Sequence, residues 1–277
     1  MKRVVVTGLG SVSPFGFGAE HLFESVLNNS NGITKITDIP AKGEIIQIAA
    51  SLPEPAKGQK TKHSALEHRP IPEDDSINSY VYALDESLVQ SGLPIESIMD
   101  NSDTGVFIGD RQLGASVYID QTAPLMAQAC DENGNMNDYT FFKLLQEHNP
   151  GKKSEYNDSD TFAHYICRSL NITGEVLSIG TACASANNAI GEAFLKIRAG
   201  RLTNAIAGGA FNYDLLGMIG FTRIGALTVN PDPDTACSPF DKRRSGFVMG
   251  SGAGILILEE MESAKKRGAN ILCEITG

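Results

Sequence analysis

Apolar residues recur along this chain with two different spacings, and each spacing predicts one kind of element. Short runs of β-branched and apolar residues predict strands at 2–7, 104–109, 175–179, 203–208, 253–259 and 270–275. Apolar positions three or four residues apart predict helices at 19–28, 77–91, 138–147, 161–170, 184–199 and 260–267. Strands that alternate with helices indicate an α/β fold, with a mixed and mainly parallel sheet covered by helices on both faces.

Two segments between these elements carry turn or loop signals. Gly8-Leu-Gly10-Ser-Val-Ser13 begins like a dinucleotide-binding loop, but its third glycine is missing and no acidic residue follows at the required distance. These residues therefore predict a tight turn after the first strand. The stretch from Pro53 to Pro72 is rich in Lys, Pro, His and Glu without periodicity, which predicts a surface loop.

Composition narrows the class of protein. The chain has 277 residues, 42% of them hydrophobic, and a formal net charge of −10, which disfavours sequence-independent binding to nucleic acid. It has five cysteines, an odd number with no Cys-x-x-Cys pair, which indicates reduced thiols rather than disulfides or a zinc site. No apolar run predicts a signal peptide or a membrane span. We therefore expect a cytoplasmic protein without a metal or a bound cofactor.

Cys183 is the strongest candidate for chemistry. The predicted strand ends at Gly180 three residues earlier, and apolar positions at helical spacing follow from Ala186. A cysteine at a helix N-terminus is favoured as the thiolate, and nearby backbone N–H groups can stabilise an oxyanion. The small flanking residues Ala182, Ala184 and Ser185 would leave room for a substrate. The residues alone leave a second interpretation open, in which Cys183 is a small apolar side chain packed under the turn.

Several spaced motifs make the chain similar to one family. The segments that carry the resemblance are Arg3-Val-Val-Val-Thr-Gly-Leu-Gly, Gly105-Val-Phe-Ile-Gly, Thr181-Ala-Cys-Ala-Ser-Ala, Ile190-Gly-Glu-Ala-Phe, Ile197-Arg-Ala-Gly, Ala207-Gly-Gly-Ala, Phe221-Thr-Arg-Ile-Gly-Ala-Leu-Thr, Ala236-Cys-Ser-Pro-Phe-Asp-Lys-Arg-Arg-Ser-Gly-Phe-Val-Met-Gly-Ser-Gly-Ala-Gly, Leu258-Glu-Glu and Ala264-Lys-Lys-Arg-Gly-Ala. In this order they resemble the N-terminal half of β-ketoacyl synthases. The match runs from end to end and is weakest across 40–75 and 110–160.

The resemblance implies a thiolase-like fold, with residues 1–277 forming the N-terminal domain and a second, histidine-bearing half absent from this chain. It implies that Cys183 accepts an acyl group from an acyl-carrier-protein thioester, with its own N–H as one oxyanion donor. Decarboxylative Claisen condensation with malonyl-carrier would follow, in fatty-acid or polyketide synthesis. The implied partners are acyl carrier protein and a second synthase subunit, in a homo- or heterodimer. No cofactor, nucleic acid or membrane is implied.

Three departures from the family pattern qualify this expectation. The family's two catalytic histidines and a lysine follow the cysteine, whereas His21, His63, His68, His148 and His164 all precede it. We expect those five to be structural or surface residues, so that this chain by itself is acylated but does not condense. Ser251 stands where the family usually has Glu or Asp, which removes a charge near the site. Asn188 stands where relatives often carry His, and the sequence assigns it no role.

Two alternatives remain beside an acyl-transferring synthase. A non-catalytic partner subunit, of the chain-length-factor type, would share these motifs, but such subunits usually replace the cysteine that this chain keeps. A thiolase would place its cysteine much nearer the N-terminus. The cluster Lys57–Arg69 mixes Lys, Arg and His and could contact an acidic carrier protein, although a solvated loop is the simpler interpretation. Cys237 lies in a Pro/Asp-rich loop and is predicted to have no role.

Overall fold

The computed structural model describes residues 1–37, 46–53, 66, 75–109, 122–148 and 161–277. They belong to two compact units, Met1–Arg111 with Phe162–Gly277, and Gln112–Thr161. The strands are β1 (Val4–Ser13), β2 (Gly16–Phe17), β3 (Thr34–Lys35), β4 (Ile48–Ala49), β5 (Thr104–Gly109), β6 (Val176–Ile179), β7 (Asn204–Phe211), β8 (Gly252–Glu260) and β9 (Cys273–Ile275). The helices are α1 (Ala19–Leu27), α2 (Asp75–Ser91), α3 (122–129), α4 (Asp138–His148), α5 (Thr161–Leu170), α6 (Ser185–Arg198), α7 (Leu215–Arg223) and α8 (Met261–Lys266).

The larger unit is built on one sheet with strand order β2-β1-β8-β7-β5-β6, and β9 also pairs with β1. β5 pairs in parallel with both β6 and β7, whereas β8 runs antiparallel to its neighbours β7 and β1. The strands β1, β5, β6 and β7 therefore run in one direction, and their carboxyl ends meet at one edge of the sheet. The predicted mixed sheet is confirmed, and four of its seven strands run in the same direction.

Helices cover both faces of this sheet, as the alternation of strands and helices predicts. On one face α6 packs its buried Ala189, Ala193 and Ile197 against Phe107 of β5 and Val6 of β1. On the other face α2 lies along β1 and β8. β1 has a bulge between Val6 and Gly8, where its register with β8 shifts.

Gly8 and Gly10 lie within β1 rather than in a tight turn, because the strand continues to Ser13. The prediction of a turn at these residues was wrong. A Cβ on Gly10 would lie 2.9 Å from the carbonyl carbon of Ala83 in α2, and a Cβ on Gly8 would lie 2.8 Å from Cβ of Ser91. Side chains at these two positions would force the helix away from the strand. The glycines are therefore required because α2 packs closely against them, and not because the backbone adopts a positive φ there.

Helix α2 also supplies hydrogen-bond partners along the middle of β1. The N–H of Leu9 donates to Oε1 of Gln90 at 2.7 Å, and the N–H of Ser11 donates to Oε2 of Glu86 at 2.9 Å. The other carboxylate oxygen of Glu86 accepts the N–H of Ala19, the first residue of α1, at 2.9 Å. Backbone donors on this stretch of the strand are thus satisfied by side chains instead of a neighbouring strand.

A buried ion pair joins the end of the sheet to the end of α2. The carboxylate of Glu259 is fully buried, and it accepts hydrogen bonds from Nε and Nη2 of Arg267 at 2.9 and 2.6 Å. It also accepts the hydroxyl of Thr7. Arg267 donates further to the carbonyl oxygens of Ser91 and Gly92 at 2.8 and 3.1 Å, where α2 ends. Because a buried charge is costly without its partner, the pair ties β1, β8 and α2 together.

The remaining elements show where periodicity was sufficient and where it was not. Helix 161–170 and strand 104–109 have the bounds predicted, and the other predicted helices and strands are present, each with one or both ends shifted. Helices α3 and α7 and the short strands β2, β3 and β4 were not predicted. Most of the loop predicted at Pro53–Pro72 lies outside the described residues. None of the helices in the described part of the chain is long and apolar enough to cross a membrane.

The smaller unit, Gln112–Thr161, contains α3 and α4. A tight turn joins them, in which Oδ1 of Asp131 accepts the N–H groups of Asn133 and Asn135 at 2.9 and 2.8 Å. Asn137 then begins α4, because its Oδ1 accepts the N–H of Thr140 at 2.9 Å. The helix predicted at 138–147 is confirmed.

Replacement of Gly10 by alanine tests the close packing of β1 and α2. We expect Gly10→Ala to lower the free energy of unfolding by about 1–3 kcal/mol, because the new Cβ meets helix backbone that cannot rotate away. Chemical denaturation followed by circular dichroism would measure this. Gly254→Ala is the matched control, since a Cβ there meets no atom within 4 Å, and it should change stability by less than about 0.5 kcal/mol. Equal losses in the two variants would contradict the packing argument.

Candidate active site

Cys183 lies in the connection between β6 and α6, in a single 3-10 turn formed by Ala182–Ala184. The thiol is exposed, and so are Ala182 and Ala184 on either side of it. Helix α6 begins two residues after Cys183 and has no acidic residue in its first turn. A thiolate at Cys183 would therefore be stabilised by the positive end of the helix dipole, and no carboxylate in the first turn of α6 would repel it. The alternative of a cysteine packed under the turn is wrong.

Two glycines on adjacent parallel strands determine where this turn lies. Gly109 ends β5 and is paired in register with Gly209 of β7. A Cβ on either residue would lie 2.6 Å from Ala186 in the first turn of α6, from its Cα in the case of Gly109 and from its Cβ in the case of Gly209. The N-terminus of α6 consequently lies directly on the carboxyl ends of these strands. Loops at this edge of a parallel sheet commonly carry binding and catalytic residues.

Side chains from the start of α6 hold the two residues that precede Cys183. The N–H of Thr181 donates to Oγ of Ser185 at 2.8 Å, and this hydroxyl donates in turn to the carbonyl of Ala182 at 2.7 Å. Nδ2 of Asn188 donates to Oγ1 of Thr181 at 2.7 Å. Ala182 has a φ of 53°, a left-handed conformation that is unfavourable for alanine. The hydrogen bonds therefore stabilise a strained turn.

These contacts change the interpretation of two residues. Ser185 was expected to leave room for a substrate beside Cys183, but it is buried beneath the turn and only 8% exposed. Asn188, to which the sequence assigned no role, contacts the turn through Thr181. A serine or threonine near a helix N-terminus often bonds to local backbone, which is the signal in the sequence that could have indicated Ser185.

Ser251 is a buried residue at the same edge of the sheet. It directly precedes β8, whose first residue, Gly252, pairs with Phe211 at the end of β7. Its hydroxyl accepts the N–H of Tyr213 at 3.0 Å and donates to Oδ1 of Asn212. Where the family usually has a carboxylate, this chain therefore has a neutral serine. Its hydrogen bond to Asn212 joins the residue that follows β7 to the residue that precedes β8.

The histidines that the structure describes lie on other elements than the cysteine turn. His21 is on α1, where Nε2 is 2.8 Å from the carbonyl of Phe15, and His148 ends α4, where Nδ1 is 3.2 Å from the carbonyl of Leu144. His164 is on α5. His63 and His68, together with most of the Lys57–Arg69 cluster, lie outside the described residues.

All five cysteines are free thiols, as the sequence predicted, but their surroundings differ. Cys183, Cys237 and Cys273 are exposed, and Cys237 lies in the Pro/Asp-rich loop that its neighbours predicted. Cys167 on α5 is partly buried, and burial raises the pKa of its thiol to about 11. Because the thiolate is the reactive form, Cys167 is the thiol least suited to nucleophilic chemistry near neutral pH.

Comparisons with known proteins define the class. The fold is that of thiolase-like ketosynthases: the chain superimposes on the ishigamide ketosynthase/chain length factor with a TM-score of 0.78 and 27% identity, covering 100% of this chain and 62% of that one. The chain also superimposes on a type II polyketide synthase ketosynthase that was solved in complex with its acyl-carrier protein. The TM-score is 0.78 and the sequence identity 26%, and the match covers 100% of this chain and 62% of that one. The chain is 33% identical over 281 residues to 3-oxoacyl-(acyl-carrier-protein) synthase 2 of Staphylococcus aureus (strain COL), covering 100% of this chain and 62% of that protein.

The family model for the beta-ketoacyl synthase N-terminal domain matches residues 1–264. The chain therefore belongs to the β-ketoacyl synthase family. It spans about three-fifths of the length of these relatives, 62% in each of the three comparisons.

Alkylation at controlled pH would test the ranking of the cysteines. At pH 8, iodoacetamide should modify Cys183 and Cys237 readily, while only about one Cys167 thiol in a thousand is ionised. The rate at Cys167 should rise as the pH approaches 11, because its pKa is raised and the neutral thiol persists until then. Peptide mass mapping would follow each site, with exposed Cys237 as the internal reference. Equal rates at Cys167 and Cys237 at pH 8 would contradict the assignment.

Proposed function

We propose that Cys183 accepts an acyl group from a carrier-protein thioester, as the first half-reaction of a β-ketoacyl synthase. The observation that carries this proposal is an exposed thiol at the N-terminus of a helix, in a chain of this family. The thiolate sulfur would attack the thioester carbonyl carbon and form a tetrahedral oxyanion. That intermediate collapses as the bond to the carrier sulfur breaks. The carrier leaves as a thiolate that takes up a proton, and Cys183 keeps the acyl group as a new thioester.

The backbone N–H of Cys183 is a suitable donor to that oxyanion. The N–H of Ala184 donates to the carbonyl of Thr181, and the N–H of Ser185 donates to the carbonyl of Ala182. Within the part of the chain that the structure describes, no backbone hydrogen bond uses the N–H of Cys183. A donor that is already in place beside the sulfur stabilises the developing charge without reorganisation.

The second half-reaction concerns the whole protein. We propose that it joins the acyl group on Cys183 to malonyl-carrier, which loses CO₂ to supply the attacking carbanion, in fatty-acid or polyketide synthesis. The described histidines lie on α1, α4 and α5 and not at the cysteine turn. All five histidines of the sequence precede Cys183, whereas the catalytic pair of the family follows the cysteine, so we expect the 277-residue chain by itself to become acylated without releasing CO₂ from malonyl-carrier.

A non-catalytic partner subunit is the second candidate. The solved structures similar to this chain include one of a ketosynthase/chain length factor, and Ser251 replaces the acidic residue usual in synthases. Such a subunit has no need of a thiol at the turn. Cys183 is retained and exposed in the strained turn before α6, which favours the acyl-accepting function.

Intact-mass analysis after incubation with an acyl-carrier-protein thioester would test the proposal. We expect one acyl adduct per chain, located at Cys183, and no adduct on Cys183→Ala. Cys237→Ala is the matched control, because this thiol is also exposed and its loss should leave the adduct unchanged. A wild-type chain that acquires no adduct, or an equal adduct on Cys183→Ala, would exclude Cys183 as the acceptor and favour the partner-subunit function.

We also propose that two synthase subunits associate through β6. This strand is at the end of the sheet and, among the described strands, pairs only with β5. Val176 and Leu177 on it are 37% and 36% exposed. An open strand edge with apolar side chains favours pairing with a second strand, so that one sheet continues through both subunits.

A charged double substitution on β6 would test this association. We expect the wild-type chain to sediment as a dimer, and the variant Val176→Lys with Leu177→Glu to shift to monomer. The two side chains lie on opposite faces of the strand, so the variant would put a charge on each face of the sheet where the second subunit joins it. Val89→Lys is the control, since Val89 is 47% exposed on α2, which packs against β1 and β8. A wild-type monomer, or a double variant that stays dimeric, would contradict this interface.

A further inference from the structure

One peptide group connects the strained residue of the turn to Cys183. The carbonyl of this group belongs to Ala182, and its N–H belongs to Cys183. A trans peptide is planar, so its C=O and N–H point in opposite directions and rotate together. Whatever fixes the carbonyl oxygen of Ala182 also fixes the direction in which the N–H of Cys183 points.

Ser185 holds this carbonyl twice, because its backbone N–H donates to the oxygen within the 3-10 turn and its side chain adds a second hydrogen bond. Its hydroxyl donates to the carbonyl oxygen of Ala182 at 2.7 Å and accepts the N–H of Thr181 at 2.8 Å, so both of its hydrogen-bonding functions serve the turn. The side chain is buried and its position is set by the start of α6. Loss of the hydroxyl would leave the carbonyl of the left-handed Ala182 with the Ser185 N–H as its one remaining donor from Ser185, and the peptide could rotate toward a relaxed conformation.

Asn188 supports the same arrangement from the next turn of α6. Its amide donates to Oγ1 of Thr181 at 2.7 Å, on the residue whose N–H is held by Ser185. Asn188 is exposed, so its contribution to the stability of the fold is expected to be small. Its effect on the turn can therefore be separated from an effect on folding.

We propose that Ser185 is a positioning residue for acyl transfer, which directs the N–H of Cys183 toward the oxyanion, and that Asn188 reinforces it through Thr181. This inference rests on the proposed function, because an oxyanion forms only if Cys183 attacks a carbonyl. Ser185 does not act on the sulfur itself. Reactions of the same sulfur that form no oxyanion should be insensitive to the hydroxyl.

Two reactions of Cys183 separate these effects. Attack on an acyl-pantetheine thioester passes through a tetrahedral oxyanion, whereas alkylation by iodoacetamide displaces iodide directly and forms none. For Ser185→Ala we expect the acylation rate at Cys183 to fall about tenfold to a hundredfold. The alkylation rate at Cys183 and its pH profile should stay within about threefold of wild type, since the same helix N-terminus faces the sulfur. Ser185→Thr, which keeps the hydroxyl, should restore acylation.

Two further variants make the test decisive. Ser97→Ala is a matched control, because Ser97 Oγ also donates to the carbonyl three residues earlier, that of Pro94 at 2.6 Å, and it should leave both rates unchanged. Asn188→Ala should fold normally and show the same selective loss, about threefold to tenfold in acylation. If Ser185→Ala fails to fold, Asn188→Ala and Ser185→Thr still report on the turn.

The outcomes distinguish this inference from the proposed function. A wild-type chain that reacts with iodoacetamide at Cys183 but is never acylated would overturn the proposed function and this inference with it. Normal acylation of wild type together with unchanged acylation of Ser185→Ala would overturn only the role of Ser185. Equal losses of the acylation and alkylation rates in Ser185→Ala would also overturn the role of Ser185, because they would indicate that the turn has collapsed and not that the N–H of Cys183 is misdirected.

Discussion

The site depends on how closely the N-terminus of α6 approaches two strands. Gly109 and Gly209 have no side chains, so the backbone of Ala186 can lie directly on the carboxyl ends of β5 and β7. Any larger residue at either position would lift the helix and move the cysteine turn away from the edge of the sheet. Gly8 and Gly10 do the same for α2 on the opposite face. Close contact between helix and strand therefore positions the helices on both faces of the sheet.

Sequence patterns were informative where a residue's role depends on its near neighbours in the chain. The apolar spacing along 184–199 placed α6, and with it Cys183, within one residue. Glycines were harder to interpret. Gly8 and Gly10 predict a turn when only adjacent residues are considered, but they are needed because α2, some seventy residues later, packs against them. No local pattern distinguishes these two uses of glycine.

The role of Ser185 in the site could not be predicted for a similar reason, because it depends on the folded conformation of the turn. Ser185 looks like one of several small residues beside Cys183, and its two hydrogen bonds become evident only once Ala182 adopts its left-handed conformation. The pairing of Glu259 with Arg267 also depends on a helix end that is distant in sequence. The family motifs marked these residues as similar to those of relatives. Their physical roles required the three-dimensional contacts.

Two properties of the turn arise from different parts of the structure. The electrostatic effect on the sulfur comes from the direction of α6, which the glycines under its first turn determine. The direction of the N–H of Cys183 comes from a single peptide, which Ser185 holds through its backbone N–H and its hydroxyl. Because the first depends on a whole helix and the second on the contacts of one residue, including its hydroxyl, a substitution of that hydroxyl can change the second property and leave the first intact. A thiol that remains nucleophilic therefore says nothing about whether the oxyanion is stabilised, and the two have to be measured with different reactions.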